Sequence, residues 1–412
     1  MSYLKVLNIQ NFNIFLISVL PIGLVFGSLI SNSIIIIICF SFILELFFKK
    51  NLLYLNQKNF YFLMIINLYI LLNSFFLSEN DESIIKSLGF FRFIILAYAI
   101  SYYFDKSGDN ILKIWSLFFL IVSFDIIFEY TFGKNILGFE SLYDGRLSSF
   151  TDDEYKIGGY YFGFIFLCLL HLKQQKDFIF LIFAVSFLLI SLLIGERSNF
   201  IKVLIMYFIF FLCFYETSFV KKLFVILFFT LMTVSFILTV PAYKNRFISQ
   251  ISNKEILKIN QSNEKEFNYK KVISDNRHLS HYYIASKIIK ENILFGAGFK
   301  SFRIESYKKK YQEDKIDGAS AHPHQFHFEI LSELGLIGYI LIISNIFYVL
   351  FKNFSLRNDY LFKAAFLFII ASLIPILPSG SFFTSYVATI FFINYSFLIR
   401  PNVLNKLKNQ SE

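Results

Sequence analysis

The chain has 412 residues, of which 56% are hydrophobic, 20% aromatic and 17% charged, and its formal net charge is +10. Soluble domains are about 45–50% apolar and about a quarter charged, so this composition excludes a water-soluble globular protein. The positive charge could indicate nucleic-acid binding, but we favour basic cytoplasmic loops as its source. The three cysteines (Cys39, Cys168 and Cys213) lie in apolar runs, with neither disulfide nor metal spacing.

Apolar stretches dominate the chain, and a membrane-spanning helix needs about 20 such residues. In chain order they cover residues 12–30, 33–48, 60–77, 88–104, 111–129, 158–172, 178–195, 199–215, 221–240, 328–351, 360–376 and 381–399. Several are short, which predicts tilted or re-entrant segments. The first stretch lacks a small-residue cleavage site, so we expect it to be retained. The sequence therefore predicts an all-α polytopic membrane protein with about 12 transmembrane helices.

Basic residues in the short loops predict the orientation of these helices. They follow the second, sixth, eighth, tenth and last stretches, and comprise Lys49, Lys50, Lys58, Lys173, Lys176, Lys221, Lys222, Lys352, Arg357, Arg400, Lys406 and Lys408. All lie on one side if both termini are cytoplasmic. The chain then divides into residues 1–240 (nine spans with an outer loop near 130–157), a large outer loop over 241–323, and residues 324–412 (three spans and a cytoplasmic tail).

The large loop is basic and contains helical patterns. Asp275 and Asn276 are suitable N-caps for a helix over residues 277–291. Its predicted apolar stripe consists of Leu279, Tyr282, Tyr283, Ser286 and Ile289. Glycines 296 and 298 should end this helix, and a second helix is predicted over residues 301–311. Pro323 is suited to begin the next membrane helix.

Histidines concentrate where this loop meets the tenth span. Five of the six lie there, namely His278, His281, His322, His324 and His327. His324 precedes a helix, whose dipole disfavours an imidazolium and favours nearby anions. A neutral imidazole beside an anionic substrate is what a general base requires. The alternative is a zinc site of His322, His324 and His327, but its ligand set is incomplete, with Glu329 as the nearest carboxylate.

Arginines from distant positions are all predicted to lie on the outer side. They are Arg92, Arg146, Arg197 and Arg277. Arg92 is several residues inside the membrane, where a charge is costly and indicates function. Guanidinium groups pair with phosphate oxygens, so the group favours a polyanionic, diphosphate-bearing lipid as ligand. Arg146 and Arg197 could instead anchor helices at the interface.

Two further pairs on helices have more than one interpretation. Asp125 and Glu129 share a helix face near the outer end of the fifth span. They could bind an arginine, line a proton path or lie at the interface. Gly335 and Gly338 in the tenth span predict close packing between helices.

Two elements of the late loop resemble the signature of the O-antigen ligase and O-antigen polymerase superfamily. The first covers residues 276–298, from Asn-Arg-His to Phe-Gly-Ala-Gly. The second covers residues 322–338, His-Pro-His-Gln followed by Glu-x-Gly-x-x-Gly. Weaker matches are Gly-Arg-Leu-Ser at 145–148 and Gly-Glu-Arg-Ser at 195–198. In this order and topology, the matches extend over most of the chain.

The resemblance implies a GT-C-like, metal-independent glycosyltransferase of the bacterial inner membrane, without a cofactor. Such enzymes take a glycan from undecaprenyl diphosphate at the periplasmic face. A ligase passes it to lipid A-core and a polymerase to another lipid-linked glycan, and the sequence does not separate the two. By position His324 is similar to the catalytic histidine, with His322 the next candidate, and Arg197 and Arg277 are similar to the diphosphate-binding arginines. Arg146 and Arg92 are further candidates for binding the diphosphate.

Departures from the family pattern concern specificity more than chemistry. Gln325 and Ile293 replace a frequent asparagine and a frequent proline, and residues 152–155 replace an Asn-rich element. The alternative from another class is a transporter or flippase of lipid-linked oligosaccharide that performs no covalent chemistry. Transporters commonly contain inverted repeats, and we see no match between the halves of this sequence.

Overall fold

The computed structural model describes residues 3–141, 143, 145–154, 156–172, 177–249, 273–274, 276–312 and 318–399. Within these ranges the chain forms helices and no β-strand, which confirms the predicted all-α class. The predicted N-cap Asp275, the loop lysines Lys173 and Lys176, and the predicted tail over 400–412 lie outside the described residues.

The main helices follow the apolar stretches. They are α1 (Tyr3–Phe26), α2 (Ser28–Phe48), α3 (Lys58–Leu77), α4 (Ser83–Phe132), α5 (Ile157–Leu172), α6 (Asp177–Leu193), α7 (Arg197–Ile209), α8 (Phe219–Thr239), α9 (Arg277–Glu291), α10 (Phe326–Lys352), α11 (Tyr360–Ser372) and α12 (Ser385–Ile399). A π-helical turn, Phe210–Phe214, continues α7. Shorter turns are Leu52–Leu55, Ser149–Glu154, Pro241–Lys244, Asn245–Ser249, Phe302–Glu305 and Phe354–Leu356.

Helix α4 contains two of the predicted spans. It has 50 residues and a non-helical backbone at Ser107 (φ −150°, ψ 31°). The rings of Phe104 and Trp115 lie 5.2 Å apart, whereas eleven residues of straight helix would separate them by about 16 Å. Both rings also contact Phe397. The chain therefore turns back at Ser107, and the two halves of α4 match the predicted spans 88–104 and 111–129.

Length and composition identify membrane-spanning candidates among the described helices. Seven are long and apolar enough to cross a membrane (α1, α2, α3, α4, α8, α10, and α7 together with its π-helical turn). Helices α5, α6, α11 and α12 are apolar but shorter. Every predicted apolar stretch thus falls on a helix, and the polytopic α-helical membrane protein is confirmed. The number of spans and their orientation stay predictions.

The connections predicted to lie outside meet at one end of the bundle, here called the loop-rich end. It comprises the described parts of residues 78–82, 133–156, 194–196, 240–325 and 373–384. Ser78 Oγ donates to Phe299 O at 2.9 Å, and Leu147 N donates to Ile194 O at 3.1 Å. Ser379 N donates to His324 O at 2.8 Å. The arrangement brings the predicted site segments together.

Helix α9 has the predicted bounds but a different buried face. The Asn276 side chain accepts hydrogen bonds from the backbone of His278 and Leu279 and so caps the helix. The buried residues are Ser280, His281, Tyr282, Ile284, Ala285 and Ile288, so Tyr282 of the predicted stripe is buried and its other four members are half-buried. The face rotates because Tyr282 stacks on Phe328 at 5.0 Å and His281 binds the carbonyl of Gly318.

Two predicted boundaries in the large loop were wrong. The second helix is only the single turn Phe302–Glu305. From Tyr307 onward the backbone N–H groups donate to carbonyls three residues earlier, and not four as in an α-helix. Helix α10 begins at Phe326 and not at Pro323, since the Gln325 side chain accepts from Phe328 N and provides the cap.

Gly335 bends α10 around the loop that follows α9. Its φ of +66° is non-helical, and a Cβ there would lie 2.4 Å from Gly296 N and Leu294 O. The bend lets Leu336 N and Ile337 N donate to the carbonyls of Ile293 and Leu294. The predicted close packing at this glycine is thus between α10 and a loop, whereas Gly338 packs on Tyr69 of α3.

Asp125 and Glu129 anchor the first outer loop. Asp125 accepts hydrogen bonds from Ile136 N and Ser149 Oγ, at 2.8 and 2.6 Å. Glu129 accepts from the backbone of Ser148 and Ser149 at 3.0 and 2.6 Å. Both carboxylates are buried. These contacts hold the first outer loop, which carries Arg146. In the described residues they favour neither arginine binding nor a proton path for Asp125 and Glu129.

Candidate functional site

Four histidines from two segments of the large loop form a cluster. The rings of His322 and His324 lie 3.9 Å apart between centroids, and those of His281 and His324 lie 5.1 Å apart and stack. His278 completes the group at 5.6 Å from His324 and 6.4 Å from His281. His278 and His281 are one helical turn apart on α9, so they face the same partner. The two predicted catalytic histidines are therefore adjacent, with His324 at the centre.

Backbone contacts fix His324 in an uncommon conformation. Its φ is +57°, in the left-handed region that histidine and asparagine tolerate better than most residues. Its carbonyl accepts from Ser379 N in the loop between α11 and α12. His281 Nδ1 lies 2.9 Å from Gly318 O, which orients the neighbouring ring. The imidazole of His324 is thus held between α9 and the α11–α12 loop.

His322 and His324 favour their neutral forms. Burial, the adjacent His322, His281 and His278, and the guanidinium of Arg277 lower the pKa of His324 to about 3. Burial also lowers the pKa of His322, although the Glu329 carboxylate opposes the shift. Within the described residues the buried Nε2 of His322 has no hydrogen-bond partner. Both rings can therefore accept a proton at neutral pH.

A buried ion pair that sequence reasoning missed lies beneath the histidines. Lys300 Nζ lies 3.7 Å from Glu329 Oε1 and donates to Ser381 Oγ at 2.9 Å. Glu329 also accepts from Ser381 Oγ and, at 2.7 Å, from Phe382 N. Lys300 N donates to Glu333 Oε2 at 2.9 Å. The ion pair joins the loop after α9, helix α10 and the α11–α12 loop. In the sequence it is indicated only by the two glutamates, Glu329 and Glu333, inside an apolar helix.

A cluster of arginines lies where three other segments of the loop-rich end meet. Arg146 Nη2 lies 3.3 Å from Glu196 Oε1, and Arg197 Nη1 donates to Arg246 O at 3.1 Å. Arg246 Nε donates to Gly195 O at 2.5 Å. Burial and the charges of Arg146 and Arg197 lower the pKa of Arg246. Sequence reasoning did not select Arg246, because it is one of many basic residues in the long loop.

The arginine cluster and the histidine cluster are connected through helix α7 and the α11–α12 loop. Lys202, one and a half turns after Arg197, is buried and donates to Pro378 O at 3.1 Å. The next residue, Ser379, binds the carbonyl of His324. The two clusters are therefore linked through Lys202 and the α11–α12 loop.

The predicted arginines divide into three positions. Arg146 and Arg197 belong to the arginine cluster. Arg277 begins α9, one residue before His278, and its charge lowers the pKa of His324. Arg92 lies apart from both in its described contacts. Its guanidinium donates to Ser385 Oγ at 2.8 Å, Asn32 Oδ1 at 3.3 Å and Gly89 O at 2.9 Å.

The zinc set considered from the sequence is not assembled. His327 Nε2 lies 2.8 Å from Leu373 O, and its Nδ1 lies 3.0 Å from the Tyr339 hydroxyl, so both nitrogens are directed away from His322 and His324. In the described part of the chain, no three histidine, cysteine, aspartate or glutamate residues are grouped as metal ligands.

Gly195 is a position where a methyl group should disrupt the arginine cluster. Its φ is +73°, and an added Cβ would lie 2.0 Å from Gly145 O, next to Arg146. We expect Gly195→Ala to separate these loops and to lower activity at least about tenfold, since misplacement by 1 Å can cost 10²-fold. Gly138→Ala is the matched control, because Gly138 also has a positive φ (+90°) but no atom within 4 Å of the added Cβ. Equal activities of the two variants would contradict this role of the close contact.

The comparison with known families points to the same segments. Residues 181–343 match a family model described as O-antigen ligase. The match begins in α6, ends in α10, and includes Arg197, Arg277, His322 and His324. No curated protein matches the chain.

Proposed function

Because the chain belongs to the O-antigen ligase and O-antigen polymerase superfamily, we propose that it transfers a glycan from undecaprenyl diphosphate to an acceptor sugar. The transfer would take place at the periplasmic face of the bacterial inner membrane, in assembly of O-antigen or a related surface polysaccharide. The loop-rich end would be the periplasmic end.

One observation carries the proposal, namely that His324 lies between other imidazoles while its carbonyl is held by the α11–α12 loop. Arg277 begins the helix that carries two of these imidazoles. Pro378 of the α11–α12 loop accepts a hydrogen bond from Lys202, which lies on α7 together with Arg197 of the arginine cluster. A neutral base and guanidinium groups at one end of a membrane bundle are the groups that glycosyl transfer from a lipid diphosphate requires.

In the proposed step, a hydroxyl oxygen of the acceptor forms a bond to the anomeric carbon of the donor glycan. The bond between that carbon and the diphosphate oxygen breaks, and its electron pair leaves with undecaprenyl diphosphate. His324 accepts the hydroxyl proton, with His322 as the alternative base. Attack opposite the leaving group inverts the anomeric configuration.

Arginines would stabilise the charge that develops on the leaving diphosphate. Arg277 precedes His278 of the histidine cluster, and Arg197 and Arg146 belong to the arginine cluster. Guanidinium forks bind phosphate oxygens in pairs, and such electrostatic stabilisation is often the largest catalytic contribution. For Arg92 the proposal rests on its sequence position, because its described partners are Asn32, Gly89 and Ser385.

The pH dependence of transfer should reflect the lowered pKa of His324. A base with a pKa of about 3 in the free protein is neutral well below pH 6.5, so its availability is not lost on mild acidification. We expect kcat/KM for the lipid donor to stay constant between about pH 8 and pH 5. Protein returned from pH 5 to pH 7 before assay controls for acid damage. A decrease with a midpoint near the ordinary histidine value would contradict the assignment.

A transfer assay with the purified protein in nanodiscs tests the proposed function. The protein is given an undecaprenyl-diphosphate-linked glycan and either lipid A-core or a second lipid-linked glycan as acceptor. Growth of the lipid-linked chain would identify a polymerase, and transfer to lipid A-core a ligase. If the donor is still intact after many hours with both acceptors present, the transferase proposal is wrong.

A further inference from the structure

We propose that residues 293–295, here called the apolar turn, form a membrane anchor whose side chains lie among the lipid acyl chains of the bilayer leaflet at the loop-rich end. The turn directly follows α9 and belongs to the segment 241–323, which the sequence predicts as a loop outside the membrane. The anchor ties the helix that carries His278 and His281 to the bilayer, and the inference does not depend on glycan transfer.

Three large apolar side chains in a row are exposed in the turn. The exposed fractions are 55% for Ile293, 55% for Leu294 and 51% for Phe295. Just before them the surface is polar, because Glu291 pairs with Lys310 in an exposed position. Contiguous apolar surface is unfavourable in water and marks contact with a protein or a membrane. The boundary between the two kinds of surface therefore lies between Glu291 and Ile293.

Helix α10 is broken where the apolar turn contacts it. In a straight helix, the N–H groups of Leu336 and Ile337 would donate to carbonyls four residues earlier. They donate instead to the carbonyls of Ile293 and Leu294, at 2.8 and 3.1 Å. The turn is therefore bonded directly to the backbone of a helix that is long and apolar enough to cross a membrane.

The carbonyls that the break in α10 releases are paired as well. Those of Ser332 and Glu333 accept from Ala297 N and Gly298 N, at 2.9 and 3.0 Å. Backbone polar groups in the bilayer must be paired within the protein, and irregular backbone at that depth is tolerated only under this condition. The reciprocal bonds between residues 293–298 and α10 meet this requirement, so the loop can lie at membrane depth.

Helix α3 fixes that depth. Asn73 Nδ2 donates to Phe295 O at 2.6 Å, and Asn73 Oδ1 accepts from Phe299 N at 2.7 Å. Helix α3 is also long and apolar enough to cross a membrane, and it ends at Leu77. Since each residue of helix rises 1.5 Å, Asn73 lies roughly 6 Å inside that end. The apolar turn is thus level with the last helical turn of a spanning helix.

The N–H groups of the apolar turn indicate a shallow position. In the described part of the chain they have no hydrogen-bond partner, whereas the three carbonyls of the turn are paired. Unpaired N–H groups require water or lipid headgroups as partners. We therefore place the backbone of the turn at the boundary between headgroups and acyl chains, a position typical of interfacial anchors.

The neighbouring helices favour lipid over a second protein as the partner. On α3, Phe75 and Phe76 are 64% and 72% exposed, and on α10, Leu336 and Ile340 are 41% and 53% exposed. These side chains belong to helices that are long and apolar enough to cross a membrane, so acyl chains are their expected surroundings. The apolar turn continues this surface from one helix to the other.

Photocrosslinking of the unaltered full-length protein in nanodiscs tests the proposal. The probe is a phosphatidylcholine with a diazirine on its acyl chain. We expect adducts on residues 293–295 at a yield comparable to that of Leu231, an exposed residue of α8. Tyr307 is the matched control, because it is 64% exposed in the same predicted loop, and it should react roughly tenfold less, since it lies outside the acyl region. Equal yields on Tyr307 and the apolar turn overturn the proposal.

A nitroxide label at position 294 measures its surroundings independently. Leu294→Cys is labelled in protein that also carries Cys213→Ser, because Cys213 is an exposed cysteine. Oxygen is concentrated among acyl chains and a charged nickel chelate is excluded, so collisions with oxygen should dominate. For Lys290→Cys, on the exposed face of α9, collisions with nickel should dominate. A label at 294 that nickel reaches as readily as at 290 overturns the proposal. Exclusion of both reagents, as under a second copy of the chain, also overturns it.

Discussion

Replacing His324 with alanine should lower the rate of glycan transfer by about 10²–10⁴-fold, the usual contribution of a general base. The imidazole at the centre of the histidine cluster would otherwise accept the proton of the acceptor hydroxyl. Initial rates of transfer, with donor and acceptor both saturating, measure the effect. We expect binding of undecaprenyl diphosphate to change much less, because His324 would act on the acceptor.

Two variants separate the loss of the imidazole from effects on the backbone. His324→Asn keeps a residue that tolerates the positive φ at this position, so it should be as inactive as His324→Ala. His327→Gln changes a histidine three residues away whose nitrogens contact Tyr339 and Leu373, and it should retain most activity. If His324→Asn transfers glycan normally and His322→Asn does not, the base is His322.

Replacing Lys300 with methionine should destabilise the protein by about 3–5 kcal/mol, the cost of removing one partner of a buried ion pair. Lys300 is 3% exposed and Glu329 is fully buried, so among the described residues the remaining carboxylate would lose its ion-pair partner. Unfolding in detergent by added sodium dodecyl sulfate, followed by the fluorescence of Trp115, measures the change. Transfer should also decrease, because the pair lies beneath His322.

A second substitution tests whether the unpaired charge is the cause. Lys300→Met combined with Glu329→Gln removes both charges, and we expect it to recover much of the lost stability. Lys310→Met is the surface control, since Lys310 pairs with Glu291 in an exposed position and such pairs contribute little. A Lys300→Met protein as stable as Lys310→Met would show that the buried pair is not important for the fold.

The sequence was sufficient to predict the helices and the histidine cluster. Runs of about 20 apolar residues have few alternatives to a helix in a membrane, because every backbone group must be paired internally. His278 and His281 are one helical turn apart, and the element containing His322 and His324 directly precedes a membrane helix. Local spacing thus grouped His278 with His281 and His322 with His324, but it predicted neither the packing of the two pairs on each other nor which face of α9 is buried.

The contacts that complete the site depend on tertiary packing. Lysine is rarely buried, so a sequence pattern predicts exposure for Lys300, and its partner Ser381 is 81 positions away. Arg246 joins the cluster only because the segment after α8 folds back on Gly195. The left-handed backbone of Gly335 lies inside an apolar run that reads as continuous helix. Such features need the three-dimensional arrangement of distant segments.

The fate of a doubly labelled donor tests the central claim most directly. In proteoliposomes, a donor labelled in both the glycan and the undecaprenyl chain is supplied with an acceptor. We predict that one undecaprenyl diphosphate is released for each new glycosidic linkage, and that the linkage has the opposite anomeric configuration to the donor. A glycan that crosses the bilayer still attached to its lipid, without release of undecaprenyl diphosphate, would contradict the account and indicate a transporter.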